Sequence, residues 1–177
     1  LKLKGLSGCY LEGVNFTDCD LTKANLTGAI LAGANLTNAN LTQANCTGAN
    51  IGAANLTDTD FSEANLTKAQ LGDSNLTRTK LVRCEMPELN FLDTTFEQTI
   101  FDGAVLKQCN FINPVFNHCS FIGSDLSQVN MVKPILVQAN FSQATVDGAN
   151  FVEAQATKSN FSQAQMINSR FVGGCQL

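Results

Sequence analysis

Residues 24–71 read ANLTGAILAGANLTNANLTQANCTGANIGAANLTDTDFSEANLTKAQL, and the spacing inside this stretch decides the fold. Leu26, Leu31, Leu36 and Leu41 lie five apart, as do Ala24, Ala29, Ala34 and Ala39 two residues earlier. Followed outward, the pattern takes in the whole chain. Every fifth residue from Leu1 to Phe171 is apolar, 35 positions without an insertion or a slip. Of these, 28 are Leu or Phe; the others are Cys46, Ile51, Met86, Met131, Val146, Ala156 and Met166. All twelve Phe and all three Met fall in this register, which chance does not produce. The slot two residues earlier is small: mostly Ala, with Cys, Ser or Thr as substitutes. Between the two slots stands Asn fifteen times and Asp three times (Asp20, Asp60 and Asp125). The remaining two positions are largely Thr, Ser, Gly, Gln, Lys or acidic, so the consensus is A-N-(L/F)-T-X.

A helix needs apolar spacings of three and four, and a flat strand needs a longer alternation of two. A period of five fits neither, but it fits a chain that turns a corner every five residues. Alternate residues on each short side point inward, the large one filling the centre and the small one the gap near the corner. Four sides make a square coil of twenty residues, and coils stack through β-type hydrogen bonds. About nine coils at ~4.8 Å each give a rod ~42 Å long.

The stretch quoted above resembles the pentapeptide-repeat family, whose motif is A(D/N)LXX, and the match spans essentially the whole chain. The resemblance implies an all-β fold, a right-handed quadrilateral parallel β-helix; handedness comes from the family and not from the period. One domain over residues 1–177 is expected, since the register never breaks.

Residues twenty apart then stack. One inner column reads Leu21, Leu41, Phe61, Leu81, Phe101, Phe121, Phe141 and Phe161; another runs from Leu11 to Phe171 and includes Ile51, Phe111 and Met131. Each such burial contributes roughly 1.5–3 kcal/mol of transfer free energy, opposed by chain entropy. Composition shifts near residue 86: Leu dominates the centre before it, while ten Phe and all three Pro follow it. Pro114 and Pro134 should stack at a corner where the coil makes no inter-coil hydrogen bond, because proline has no amide donor.

The totals exclude several classes. The chain has 177 residues, 44% hydrophobic and 15% charged, with 15 acidic and 11 basic side chains and a net charge of −4. Direct nucleic-acid binding wants a clustered basic surface, so none is expected. No apolar run approaches the roughly 18 residues of a membrane span. The N-terminus LKLKGLSGCY has neither the apolar stretch of a signal peptide nor an initiator Met, so the chain reads as a mature form or an excised segment.

Candidate sites are few. Cys9, Cys19, Cys84, Cys109 and Cys119 fall in the small inward slot, Cys46 in a central slot and Cys175 in an outward one. None stacks on another, so they read as small hydrophobes without disulfides, which leans towards a reducing compartment. His118, the only histidine, sits on an outward position with no second ligand in register, and no metal or cofactor is expected. Triplets such as Asn25-Leu26-Thr27 and Asn65-Leu66-Thr67 match the glycosylation acceptor, but they are the repeat consensus itself. Outward Thr ladders (Thr17, Thr37, Thr57, Thr77 and Ser7, Thr27, Thr47, Thr67) could match a regular lattice, or simply follow β propensity. Asp20 and Asp60 share a column with Lys80, while Glu85 and Glu88 stand near Lys68 and Lys107. A square rod offers no concave pocket for paired carboxylates, so an enzyme is not expected.

The feature that asks for a function is a candidate interaction stripe. Leu92, Ile112, Val132, Val152 and Val172 share one outward column over five consecutive coils, preceded by the small Ala32 and Gly52. Val115 and Ile135 stack outward beside the two prolines, with Val137 near. Contiguous exposed apolar patches mark partner surfaces; strand propensity also puts β-branched residues on a β face, and both readings stand at this point. The expected function is a non-enzymatic scaffold or binding module for a protein partner. The resemblance supplies an alternative, a DNA mimic that binds DNA gyrase or topoisomerase and protects it from inhibitors or toxins. Such a mimic wants a strongly negative rod, and this one has lysines interspersed. Solenoid ends need covering, so end-to-end homo-oligomer formation or flanking segments are expected. A cytoplasmic location is expected, with thylakoid lumen and secreted effector left open.

Overall fold

The computed structural model describes residues 4–175; Leu1, the first position of the register, lies outside them. The chain forms an all-β, right-handed quadrilateral β-helix of short parallel strands, with no helix among the described residues. Three-residue strands form on only one side. β1 (Asn90–Phe91), β2 (Asn110–Ile112), β3 (Asn130–Val132), β4 (Asn150–Val152) and β5 (Arg170–Val172) make a five-stranded parallel sheet in that order. On the other sides the coils are joined by single bridges such as Asn25↔Asn45 and Asp60↔Lys80, always twenty residues apart. Each bridge uses two amides per side: Leu26 N–H donates to the Asn45 carbonyl at 2.7 Å, and Asn45 N–H to the Ala24 carbonyl at 2.9 Å.

The corner explains the five-residue period. In most repeats the small residue's amide donates back to the carbonyl of the preceding central residue, as Ala24 does to Leu21 at 2.9 Å. The third residue of this turn has positive φ at every repeat from Gly8 to Gly173. Type II turns require that sign and favour Gly there, yet 25 of these residues are not glycine and sit at φ between 51° and 62°. The Asn before the centre supports the corner. In Asn25-Leu26-Thr27 its Oδ1 accepts from the Thr27 amide at 3.1 Å and from the Thr27 hydroxyl at 2.7 Å, an Asx turn. The same pair of bonds recurs at Asn15, Asn35, Asn40, Asn45, Asn55 and Asn75. Six of the eight ladder residues therefore belong to the corner, their hydroxyls turned onto their own Asn; Thr67 bonds Asn65 through its amide alone, and Ser7 donates to the Thr27 carbonyl.

The small slot also solves a polar problem. Thr59, Thr79 and Thr99 are fully buried there, and each donates at 2.7 Å to the carbonyl of the central residue 23 positions earlier: Leu36, Leu56 and Leu76. Cys84 and Cys119 aim their thiols likewise at Phe61 and Phe96. No buried side-chain N or O among the described residues lacks a partner. Inside the C-terminal half, Phe rings stack in columns: Phe101 on Phe121 at 4.7 Å and Phe121 on Phe141 at 4.5 Å, each at an interplanar angle of 3°. Phe116 meets Phe121 edge-on at 5.1 Å, so neighbouring columns lock together.

Pro114 and Pro134 are buried in the small slot, stacked as expected. The amide they lack is the one used inside the turn and not between coils; their carbonyls still accept from Ile135 and Gln155 at 2.9 Å. On this side the turn bond measures 3.2 Å at Val14, 2.9 Å at Ala34 and 3.3 Å at Ala54 and Ser74, and the prolines dispense with it. On this side the strands β2 to β5 run one residue past the central position.

Candidate interaction face

The five-stranded side carries the apolar column. Ile112 pairs with Val132, Val132 with Val152 and Val152 with Val172 across β2–β5, and Leu92 follows β1 one coil earlier. Leu92 is 45% exposed, Ile112 41% and Val172 38%, while Val132 and Val152 are half-buried between neighbours. All five point away from the core, because the residue before each (Phe91, Phe111, Met131, Phe151, Phe171) points into it.

Beside this column runs a second one of Asn90, Asn110, Asn130 and Asn150. Here the side chains bond to one another along the rod: Asn130 Nδ2 to Asn110 Oδ1 at 2.8 Å, and Asn150 Nδ2 to Asn130 Oδ1 at 3.0 Å. The partner that closes an Asx turn elsewhere is Thr; here Leu, Ile or Val stands in its place and the amides turn to each other. Such a ladder ties neighbouring strands and flattens the face.

The same side changes relief midway. Towards the N-terminus the outward column consists of Glu12, Ala32, Gly52 and Gly72. A shallow trough of ≈ 390 Å³ opens over Gly52 and Gly72, walled by Asn50, Gln70, Asn90 and Leu92. The face thus carries a trough over Gly52 and Gly72 and an apolar ridge from Leu92 onward, in one straight line.

The remaining candidates fall into the structure quietly. Cys46, Cys84, Cys109 and Cys119 are buried, and desolvation pushes each thiol up to about 12, which leaves them unreactive at neutral pH. Cys175, assigned to an outward slot by the register, instead packs partly buried against the core, with its thiol 3.4 Å from the Phe151 carbonyl. The double glycine Gly173-Gly174, both at φ 79°, takes the chain out of the repeat just before it. His118 is exposed at a corner with φ 56°. No group of three or more His, Cys, Asp or Glu that could hold a metal ion occurs among the described residues. Among them, too, no helix is long and apolar enough to cross a membrane.

Charges pair along the columns. Arg78 forks onto Asp58 with bonds of 2.7 and 2.6 Å, and Arg83 reaches Glu63 at 2.5 Å; both carboxyls lie below the usual carboxylate range, Asp58 through its bond to Arg78 and Glu63 through bonds from Gln43 and Arg83. Lys80 lies 3.8 Å from Asp60, as the column predicts. Lys107 goes 3.0 Å to Asp125 and not towards Glu88, since Asp125 stands on the next coil within its reach. Burial raises the Asp125 carboxyl, but the Ser127 hydroxyl and amide with Lys107 outweigh it and hold it low. Five of the fifteen acids (Asp58, Asp60, Glu63, Asp125 and Glu153) lie within 4 Å of a basic partner on a neighbouring coil, so charge is mixed in sign along these columns.

A right-handed square coil with a five-residue corner and a long patterned face defines a β-solenoid. The family model described as pentapeptide repeats (8 copies) matches twice, over residues 6–43 and 44–83, and one described as a pentapeptide repeat region matches residues 94–171. The chain belongs to the pentapeptide-repeat family. Among solved structures it resembles HetL, a pentapeptide repeat protein involved in heterocyst differentiation regulation from the cyanobacterium Nostoc sp. strain PCC 7120, at 23% identity. That likeness covers 96% of this chain and 84% of the other, with a TM-score of 0.53. It also resembles a trypsin-treated variant of QnrB1, a plasmid-mediated fluoroquinolone resistance protein, at 15% identity, covering 97% and 91% of the two chains with a TM-score of 0.65. At these identities the likeness carries the fold alone. No curated protein matches the sequence significantly.

Proposed function

We propose that the chain is a single-domain, non-enzymatic protein-binding module whose binding face is the ridge Leu92, Ile112, Val132, Val152 and Val172. One observation supports this above the rest: five apolar side chains stand in line on an outward column, where the consensus of the repeat puts Thr. Thr in that slot would close the corner with its Asn, as it does seven times elsewhere. Giving up that bond for an exposed Val or Ile gains the isolated rod little, whereas a partner that covers the column recovers roughly 25 cal/mol per Å² of apolar area. The flat Asn ladder alongside supplies amide donors and acceptors for a polar rim.

The gyrase-protecting reading asks for a long negative face; the column-wise ion pairs speak against it, and a supercoiling assay with and without the protein tests it directly. The binding-face reading is tested by Val132→Lys with Val152→Lys. Both side chains are outward, so the rod should fold with an unchanged circular dichroism spectrum while association is lost. A doubly substituted rod that keeps every association of the parent overturns the assignment of the face.

A further inference from the structure

We infer that the partner suited to this face is a second copy of the chain, packed antiparallel so that the ridge of one rod lies in the trough of the other. The inference rests on the binding-face reading above and gives it an occupant. The relief along a single column carries it. From one end to the other the outward residues are Glu12, Ala32, Gly52, Gly72, Leu92, Ile112, Val132, Val152 and Val172. Place a two-fold axis across the face midway between Gly72 and Leu92. Leu92 then meets Gly72 of the other copy, Ile112 meets Gly52, and Val132 meets Ala32. The largest side chains meet the residues with none, and the next larger meets the next smaller. Val152 meets Glu12 at the rim, where the carboxylate stays in water. A two-fold contact is isologous, so each pairing is made twice.

The flanking column agrees. The same axis puts Asn90 over Gln70 and Asn110 over Asn50 of the other copy, amide against amide. Width and length set the strength. Eight rungs at ~4.8 Å and three residues at ~3.3 Å bound a strip of roughly 400 Å² per copy. That is about half the area of a standard interface, so the dimer is weak and concentration-dependent. One feature opposes it. Asp73 and Asp93 stand on the other flank, and the axis brings Asp73 of each copy over Asp93 of its partner, four carboxylates around the two-fold.

These features make the pairing testable without harming the rod. Sedimentation velocity from micromolar to millimolar protein should show a monomer–dimer equilibrium. Gly72→Thr restores the consensus residue at that slot, and its Cβ would come no nearer than 3.5 Å to the Leu92 carbonyl, so the coil is kept while the trough is filled. It should weaken the dimer tenfold or more. Asp93→Asn should tighten it several-fold by relieving the facing carboxylates. Cysteines at Gly52→Cys and Ile112→Cys lie three coils apart in one rod, roughly 14 Å by the strand spacing and too far for a disulfide, but face each other across the axis. Together they should give a covalent dimer on a non-reducing gel; either one alone should not. A protein that is monomeric at every concentration, or a single Ile112→Cys that cross-links as well as the pair, overturns the antiparallel dimer. If that monomer still binds another protein and loses it with Val132→Lys and Val152→Lys, the binding face stands and only its occupant was wrong.

Discussion

Truncating Phe121 should be among the most damaging single changes in the rod. Its ring is fully buried, sandwiched between Phe101 at 4.7 Å and Phe141 at 4.5 Å and touched edge-on by Phe116 at 5.1 Å. The Phe121 amide bonds the Asn140 carbonyl at 2.7 Å, and the Phe101 amide bonds the Ser120 carbonyl at 2.7 Å, so the coils on either side are held at their spacing. A void left by Phe121→Ala therefore cannot close by local collapse. Phe-to-Ala changes cost about 3–5 kcal/mol, and a site that cannot relax belongs at the upper end. Phe121→Leu keeps most of the volume and uses the residue found in the same column at Leu21, Leu41 and Leu81. It removes three ring contacts of about 0.5–1.5 kcal/mol each, partly replaced by aliphatic contact, so its cost should be roughly 1–2 kcal/mol. Urea unfolding followed by circular dichroism gives both values from the midpoints if the slope is unchanged. An Ala variant within about 1 kcal/mol of the parent would refute the reasoning, because a rigid, ring-packed column could not yield so cheaply. So would a Leu variant as costly as Ala.

Thr79→Val removes the 2.7 Å bond to the Leu56 carbonyl but leaves that carbonyl bonded to the Thr59 amide, so the loss should be about 1 kcal/mol. Thr79→Ala should cost more by the missing methyl, and chemical denaturation of the two variants side by side checks the order. Asp125 is held low in the folded state, so its contribution is present above about pH 4, the unfolded value, and is lost as pH falls through the lower folded value. Asp125→Asn keeps the Asx turn but has no such contribution. Thermal midpoints of the two proteins should differ at pH 7 and converge as pH falls below the usual carboxylate range, and a gap that widens in acid would count against the assignment.

The unbroken spacing from Leu26 through Phe171 was enough to read the square coil, and stacking by twenty placed Pro114 over Pro134 and the ridge on one side. Those inferences depend only on where the centre points, and a period states that. What the period does not state is backbone conformation. Positive φ at the third corner residue was written in the sequence, since nine of the thirteen glycines fall there, but the polar residues in the remaining repeats masked the signal. The Asn–Thr bond was likewise visible as a recurrent Asn-X-Thr, and reading it only as a consensus hid an Asx turn. Hydroxyls reaching a carbonyl 23 residues earlier need the offset between coils, which no local pattern carries. Cys175 was misplaced because Gly173-Gly174 ends the corner geometry just ahead of it. Lys107 found Asp125 because a long flexible side chain spans a coil diagonally, and column bookkeeping looks only straight up and down.

Everything said of faces, the ridge included, depends on residues twenty apart being stacked, and paired cysteines test that most directly. Gln108 and Gln128 occupy one outward column with side chains 3.0 Å apart. Cysteines at both positions would sit one coil apart, ~4.8 Å between strands, within the range a disulfide needs. Gln108 with Gly123, fifteen residues apart, lies on a different side. Oxidation followed by peptide mapping should find the 108–128 disulfide closed in nearly every molecule and the 108–123 disulfide absent. If the fifteen-residue pair closes as readily as the twenty-residue pair, the four-sided stack is wrong and the ridge does not exist.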